Sequence, residues 1–242
     1  VFNTCMSGYQ EVASDPSYAG QMVVFTYPLI GNYGVRDAFA ESQRLHIRAL
    51  VVRELSAIVG HGAAERSLED ELMRHGLPGL RGVDTRALTR HLRDRGTLRG
   101  VLAARDAMSA DAQIMLARNA PWVGEEDLVA QTSQADLVLH WGERLPAELE
   151  RGVALAGSLD RFSGVRVVVI DLGIKRNQLR ALCSRGAEVI VLRHDATIDD
   201  VVAQRPDGVL LSNGPGDPSR LPGQVELARQ LLGDVLAGRD VA

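Results

Sequence analysis

The hydrophobic pattern of the chain changes near residue 165. Beyond it, three nearly continuous apolar runs alternate with three amphipathic stretches. A continuous apolar run is typical of a parallel strand that is buried on both faces. The alternation predicts strand, helix, strand, helix, strand and helix in a right-handed, doubly wound parallel sheet. The six segments are VRVVVIDLG, KRNQLRALCSRG, AEVIVLR, IDDVVAQ after a capping Thr197, DGVLLS and GQVELARQLLGDVLAG.

The first 60 residues show a different pattern, rich in β-branched and aromatic side chains. QMVVFTYPLIGNYGV, residues 21–35, combines such side chains with turn-forming proline and glycine. IRALVVREL, residues 47–55, is a second apolar segment. Both segments are predicted to contain strands.

Two helices are predicted next, from their capping residues. SLEDELMRHG has Ser67 as its N-cap, acidic residues in its first turn and Gly76 just past its end. VDTRALTRHLRDRG is capped by Asp84 or Thr85 and ends at Gly96. Its predicted apolar face comprises Ala87, Leu88 and Leu92. The segment TLRGVLA that follows is a candidate strand, so this first region is mixed α and β.

The periodicity weakens between residues 106 and 163, which predicts irregular structure there. A domain boundary is expected near residues 150–164, where the chain is polar and interrupted by proline and glycine. The fold class is therefore α/β. A mixed α/β domain is predicted over residues 1–150, and part of a doubly wound domain is predicted over residues 164–242.

Composition and charge narrow the class of protein. A net charge of −4 and a pI near 5.9 give no basic surface for nucleic acid or for an anionic membrane. No apolar run approaches the ~20 residues of a membrane span, and the N-terminal residues do not resemble a secretion signal. Two distant cysteines without a Cys/His cluster indicate neither a disulfide framework nor a metal site. A cytoplasmic protein is expected.

Lys175 is the only lysine among 27 basic residues. A genome that favours arginine codons is one explanation. A functional need for lysine at this position is the other, because lysine and arginine differ in shape and hydration. The residues alone favour neither.

The segment SNGPGDP, residues 212–218, follows the third predicted strand of the second domain. Gly214 and Gly216 allow a ligand to approach the backbone closely, while the two prolines hold the loop rigid. Preorganised backbone N–H groups suit an oxyanion or a carboxylate. A plain strand-to-helix turn has the same composition, and the pattern alone slightly favours it.

A second turn, Asp15-Pro16-Ser17, is predicted to present the Ser17 hydroxyl, although a capping turn explains it as well. The six histidines are scattered, and no GxSxG-type elbow is present. Cys183 is predicted to be a core residue in mid-helix, and neither cysteine is predicted to be a nucleophile.

Four segments together resemble the small, glutamine-hydrolysing subunit of carbamoyl-phosphate synthase. They are VFNTCMSGYQEVASDPSYAGQMVVFTYPLIGNYGV, GVDTRALTRHLRDRGTLRGVL, IDLGIKRNQLRAL and DGVLLSNGPGDP, in the order of that family. SNGPGDP alone is common to class I glutamine amidotransferases, whereas the first segment is specific to the small subunit. Position 5 departs from the usual Ser or Gly of the family. Lys175 falls in the GxKRN segment of the family, which favours a functional need for that lysine.

The resemblance implies a subunit-specific N-terminal domain and a flavodoxin-like amidotransferase domain with a Cys–His–Glu triad. The triad hydrolyses L-glutamine through a thioester and releases ammonia for the large subunit. Ser17, Gly214 and Gly216 match positions that bind glutamine, and the Gly214 N–H matches an oxyanion donor. The resemblance implies that this subunit has no cofactor and that its partner is the large subunit. ATP and Mg²⁺ are expected to bind to that large subunit.

No catalytic residue of the triad is expected among the 242 residues. The nucleophile of the family lies in a GxCxGxQ elbow on the strand after the third helix, and His and Glu follow it. The chain is therefore expected to be a fragment truncated at both ends, without glutaminase activity of its own. Three alternatives are another class I amidotransferase such as that of anthranilate synthase, a noncatalytic scaffold, and a flavodoxin-like nucleotide binder. Residues 1–100 argue against the first.

Overall fold

The computed structural model describes residues 1–133, 137–139 and 164–236. The chain divides into two compact units, Val1–Glu126 and Asp127–Ala242. Each unit contains its own parallel sheet and its own buried core.

The first unit is built on a four-stranded, fully parallel sheet with a small two-stranded sheet beside it. The larger sheet has the order β1-β2-β4-β6, and β3 pairs with β5. The strands are β1 (Phe2–Asn3), β2 (Met22–Phe25), β3 (Leu29–Ile30), β4 (Ala49–Val51), β5 (Glu54–Leu55) and β6 (Gly79–Leu80). The α-helices are α1 (Tyr9–Ser14), α2 (Leu68–Arg74), α3 (Thr85–Arg95) and α4 (Ala110–Asn119). The mixed α/β prediction for this region is confirmed.

The core of the first unit lies mainly between α1, α2 and the sheet. Tyr9 stacks on Tyr33 with 4.1 Å between ring centroids, and its hydroxyl donates to the Gly34 carbonyl over 2.7 Å. This bond satisfies the polar end of a fully buried ring. The other face of the sheet is covered by α3, whose Leu92 packs with Val24 of β2 and with β4.

The predicted caps of both helices are confirmed, but the predicted face of α3 is partly wrong. Ser67 and Asp70 form a capping box at α2, and Asp84 caps α3. Ala87 is exposed, whereas Thr85 and Thr89 are buried. The Thr89 and Thr26 hydroxyls lie 2.6 Å apart, so a hydrogen bond satisfies Thr89 at a position that an apolar pattern would not identify. The TLRGVLA segment forms no strand.

The second unit is built on a four-stranded sheet with the order β10-β8-β9-β7. Strands β8, β9 and β10 are parallel, as predicted, and β7 pairs antiparallel with β9. The strands are β7 (Leu137–Leu139), β8 (Arg166–Asp171), β9 (Glu188–Arg193) and β10 (Gly208–Leu211). The α-helices are α5 (Leu128–Thr132), α6 (Arg176–Cys183), α7 (Ile198–Ala203) and α8 (Pro222–Leu236).

Both faces of this sheet are covered by helices. Successive residues of β8 point to opposite sides and therefore enter two different cores. Val168 and Ile170 pack with a core that includes Val201 of α7 and Leu227 of α8. Val169 packs in a separate core with residues of α6. Helices on two faces of a mainly parallel sheet confirm the predicted doubly wound, flavodoxin-like arrangement.

The prediction of irregular structure between residues 106 and 163 is partly wrong where the structure describes that region. Helix α4 begins after Ser109, helix α5 begins after Asp127, and each cap accepts a backbone hydrogen bond. Their cap residues are visible in the sequence, but α4 buries no side chain and therefore has no apolar periodicity. The domain boundary that is predicted near residues 150–164 falls almost entirely outside the described residues and stays a prediction.

Candidate functional site

The candidate site lies at the carboxyl edge of the second sheet. Strands β8 and β10 are parallel neighbours, with Ile170 opposite Leu211 at their ends. The loop over residues 172–175 follows β8, and the loop over residues 212–217 follows β10. Ligands of open α/β sheets bind at this edge, so the two loops are the natural place to seek a site.

Hydrogen bonds connect these two loops directly. The Leu172 N–H donates to the Ser212 hydroxyl oxygen over 2.9 Å, and that hydroxyl donates to the Asn213 carbonyl over 2.7 Å. The Asn213 amide nitrogen donates to the Gly173 carbonyl over 3.1 Å. Ser212 is 8% exposed. The loops thus form one rigid unit, although they are 40 residues apart in sequence.

Asp171 shapes the first loop from within. Its carboxylate is buried and accepts the N–H groups of Gly173 and Ile174, each over 2.9 Å. This turn uses the short aspartate side chain as a backbone mimic, and Gly173 adopts a φ of 122°. Lys175 is the N-cap residue of α6 in extended conformation, so the lone lysine stands directly beside the turn.

A close approach between the two loops requires glycine at position 214. A Cβ added to it would lie 2.0 Å from the Leu172 carbonyl oxygen, far inside the van der Waals distance. Any other residue would therefore force the two loops apart. The sequence predicts a glycine that leaves room for a ligand, and the structure adds that the backbone of Leu172 already requires it.

The second half of the loop is shaped by Gly216 and Asp217. Gly216 has a φ of 87°, in the left-handed region that favours glycine. Asp217 caps the short 3₁₀ helix Pro218–Arg220 and accepts the Ser219 N–H over 2.9 Å. Hydrogen bonds from the backbone and the side chain of Ser219 lower the pKa of the Asp217 carboxyl. The loop is thus held in a single shape, as electrostatic stabilisation by fixed donors requires.

Ser17 lies in the first unit, within the 3₁₀ helix Pro16–Tyr18. Asp15 caps this turn and accepts the Ser17 N–H over 2.9 Å, and the Gln21 side chain donates to the Ser17 carbonyl over 3.0 Å. The predicted turn is confirmed, although Ser17 is half-buried rather than exposed. Ser17 and the two glycines lie in different units, and their shared role in binding stays a prediction.

Cys183 is not suited to nucleophilic attack. Cys183 is 4% exposed in the core beneath α6, and burial raises the pKa of its thiol to about 11. A thiol with such a pKa forms almost no thiolate near pH 7. Cys5 is exposed and unpaired. The prediction that Cys183 is a core residue is confirmed, but Cys183 is the last residue of α6 rather than a mid-helix residue.

Within the described ranges, no three His, Cys, Asp or Glu residues come together in a group that could hold a metal ion. Within the same residues, no helix has the length and apolar character to cross a membrane.

Sequence reasoning did not identify Asp171 and Ser212 as the residues that build the site. An Asp at the end of a strand, two residues before a Gly, is a recognisable signal for a side-chain-stabilised turn. No local signal could have identified Ser212, because its partner Leu172 becomes a neighbour only through the pairing of β8 with β10.

Two family models match the chain, each within one unit. The model of the carbamoyl-phosphate synthase small chain, CPSase domain, matches residues 1–102. The model of class I glutamine amidotransferases matches residues 168–236, which include most of β8, all of β10 and the candidate site. The order of the two domains is the order that the resemblance implies.

Curated relatives match over almost the whole chain, and each is named carbamoyl phosphate synthase small chain. The protein of Symbiobacterium thermophilum is 46% identical over 232 residues, 96% of this chain and 59% of its own length. The protein of Syntrophotalea carbinolica is 41% identical over 233 residues, 96% of this chain and 60% of its own length. That of Nitratidesulfovibrio vulgaris (Hildenborough) is 42% identical over 255 aligned residues, 99% of this chain and 67% of its own length. The chain thus spans about 60% of the first two relatives, and it belongs to the carbamoyl-phosphate synthase small chain family.

Proposed function

We propose that this chain is part of the glutaminase subunit of a glutamine-dependent carbamoyl-phosphate synthase. The subunit hydrolyses L-glutamine to glutamate and ammonia, and the ammonia passes to the large subunit. The large subunit uses it with bicarbonate, ATP and Mg²⁺ to make carbamoyl phosphate. The observation that carries the proposal is the joint match of a small-chain domain over residues 1–102 and an amidotransferase domain over residues 168–236.

The loop that follows β10 is proposed to bind the reacting amide of glutamine. Gly214 would offer its N–H to the oxyanion that forms at the amide carbon, and Gly216 would border the same pocket. Support comes from the hydrogen bonds through Ser212 and Asn213, which hold the loop before any ligand binds. A donor that needs no reorganisation during the reaction stabilises the developing charge most effectively.

Ser17 is proposed to contact the same glutamine from the small-chain domain. Its turn is held by Asp15 and by Gln21, which fixes the position of its backbone. The attacking thiol is assigned to neither Cys5 nor Cys183, since the first is outside the amidotransferase domain and the second is buried.

The proposal is tested with the full protein in complex with its large subunit. Carbamoyl phosphate formation is measured with glutamine and, separately, with ammonia as the nitrogen donor. Gly214→Ala should lower the glutamine-dependent kcat by at least ~100-fold, the effect expected from disturbing an oxyanion donor. The ammonia-dependent rate should stay within about twofold, because ammonia bypasses this site. Equal loss with both donors, or no loss with glutamine, would contradict the proposal.

A further inference from the structure

Helix α3 has an exposed row of arginines that the proposed glutaminase chemistry does not use. Arg86, Arg90 and Arg93 are spaced by four and three residues, which places them on one side of the helix. All three are exposed, while Thr89 and Leu92 bury the side that faces the sheet. We call these three residues the arginine stripe. It extends from residue 86 to residue 93, or about 10 Å of helix.

The arginine stripe is electrostatically unfavourable within its own helix. Like charges at spacings of three and four residues repel each other on a helix surface. Arg86 is also the second residue of α3, where the positive end of the helix dipole disfavours a cation. The first turn contains no acidic residue. Arg93 lies in the last turn, where the dipole favours a cation. Local helix stability therefore does not explain the arginines at positions 86 and 90.

The described residues supply almost no compensation for these charges. Within the described part of the chain, Arg86 and Arg90 form no ion pair, and Arg93 pairs only with the adjacent, exposed Asp94 over 3.0 Å. Other arginines of the chain do find acidic partners in different elements, as Arg66 does with Asp37 and Glu71. Arg86 and Arg90 are thus directed to solvent without an acidic partner among the described residues.

The positive charge is local rather than general. Residues 81–99 contain six arginines against two aspartates, a surplus of four positive charges in a chain of net charge −4. A negatively charged protein repels nucleic acid over most of its surface. A compact patch about 10 Å long is better suited to binding the carboxylates of an acidic protein surface than to binding a continuous polyanion such as nucleic acid. Arginine is also the cation that pairs most readily with carboxylates at interfaces, because its planar donors bind both oxygens and it is weakly hydrated.

We propose that the arginine stripe of α3 docks an acidic surface of the large subunit. The inference rests on the proposed function, from which the partner comes, and adds the surface and the chemistry of the contact. Exposed charges at an interface steer the encounter of the two proteins. Their loss should therefore slow association and reduce its dependence on salt, with a smaller effect on the dissociation rate.

The test compares two charge reversals in the same helix, in the full protein. Arg90→Glu changes the centre of the stripe. Arg95→Glu makes the same change in charge on the opposite side of α3, about 170° from the mean direction of the stripe. Association and dissociation rates with the purified large subunit are measured at several salt concentrations. Arg90→Glu should slow association about tenfold at low salt and flatten its salt dependence, while Arg95→Glu should stay within about twofold of the wild type.

Thermal melting of both variants separates docking from folding. Arg90 is exposed and relieves repulsion when reversed, so Arg90→Glu should melt at or above the temperature of the wild type. If it melts lower, Arg90→Gln, which removes the charge alone, is used in the same assay with an expected loss of about threefold. Equal association of Arg90→Glu and Arg95→Glu would overturn the inference while leaving the proposed function intact.

Two further outcomes would count against the inference. A wild-type protein that does not bind the large subunit at any salt concentration would overturn the proposed function and the docking surface with it. Binding of duplex DNA as tight as that of the large subunit, and lost in Arg90→Glu, would assign the stripe to nucleic acid instead. Association that depends on salt and on Arg90 but not on Arg95 supports the inference.

Discussion

The backbone of Gly214 approaches the carbonyl oxygen of Leu172 so closely that no Cβ fits between them. A Cβ at this position would lie 2.0 Å from the oxygen. The two residues follow neighbouring parallel strands, and the Ser212 hydroxyl ties Leu172 to the start of the loop that contains Gly214. This contact fixes the geometry of the candidate glutamine loop before a ligand is bound.

The first prediction concerns the stability of this contact. Gly214→Ala should lower the free energy of unfolding by about 1–3 kcal/mol, because the methyl group forces backbone atoms apart. Gly208→Ala, at the start of β10, is the matched control, since a Cβ there meets no atom within 4 Å. Urea denaturation of both variants gives the comparison. Equal stability of the two variants would show that the loops can move apart without cost.

The second prediction concerns acid denaturation and His46. Burial, assisted by the charge of nearby Arg44, lowers the pKa of His46 to about 4, against 6.5 for an ordinary histidine. The neutral form is therefore favoured in the folded state. The contribution of neutral His46 to the free energy of unfolding is complete above about pH 6.5. It is lost as the pH falls towards 4, and the total loss is on the order of 3 kcal/mol.

The measurement is the free energy of unfolding between pH 7.5 and pH 4. His46→Gln should remove part of the decline with acid, because glutamine does not titrate. His61→Gln, at an exposed histidine, should decline as the wild type does. A wild-type curve that is flat between pH 6.5 and pH 4 would argue against a buried neutral His46.

The third prediction has the opposite sign and concerns Glu11 of α1. Burial raises the pKa of the Glu11 carboxyl above its ordinary value, and the nearby charge of Glu41 adds to the effect. Ionisation of Glu11 therefore opposes folding, and stability is lost as the pH rises through the folded pKa. Glu11→Gln should be more stable than the wild type at pH 7.5, with a smaller gain at lower pH.

The control for Glu11 is Glu69→Gln, which removes an exposed carboxylate from the first turn of α2. That carboxylate interacts favourably with the helix dipole, so this variant should be equally or slightly less stable. Calorimetric melting at pH 7.5 and pH 5 distinguishes the two. A destabilised Glu11→Gln at pH 7.5 would show that the ionised carboxylate is compensated in the folded protein.

The fourth prediction concerns the two thiols. In the native protein, Cys5 should react with an aromatic disulfide reagent within minutes, whereas Cys183 should react only on unfolding, because it is buried and has a raised pKa. In the full protein with its large subunit, Cys5→Ser and Cys183→Ala should each retain glutamine-dependent activity within about threefold. Loss of glutaminase activity in either variant would contradict the assignment of the nucleophile to neither residue.

The amino-acid sequence predicted those parts of the molecule whose signals are local. Strands β8, β9 and β10 were predicted because parallel strands buried on two faces require continuous apolar runs. Helices α2 and α3 were predicted from Ser67, Asp84 and the glycines that follow them, since caps satisfy backbone groups of the same short segment. The motif around Gly214 was identified because its signal also lies within one short segment, SNGPGDP.

Tertiary structure decided what depends on contacts between distant segments. The buried face of α3 follows from the bond between Thr89 and Thr26, and the pairing of β7 with β9 cannot be read from either strand alone. The need for glycine at position 214 arises from Leu172, which pairing of β8 and β10 brings within reach. Sequence by itself thus determined the elements and the family motif, because both depend on neighbouring residues. The packing of the loops, and the lack of ion pairs at Arg86 and Arg90 within the described residues, became visible only once the chain was folded, because they depend on which distant residues meet.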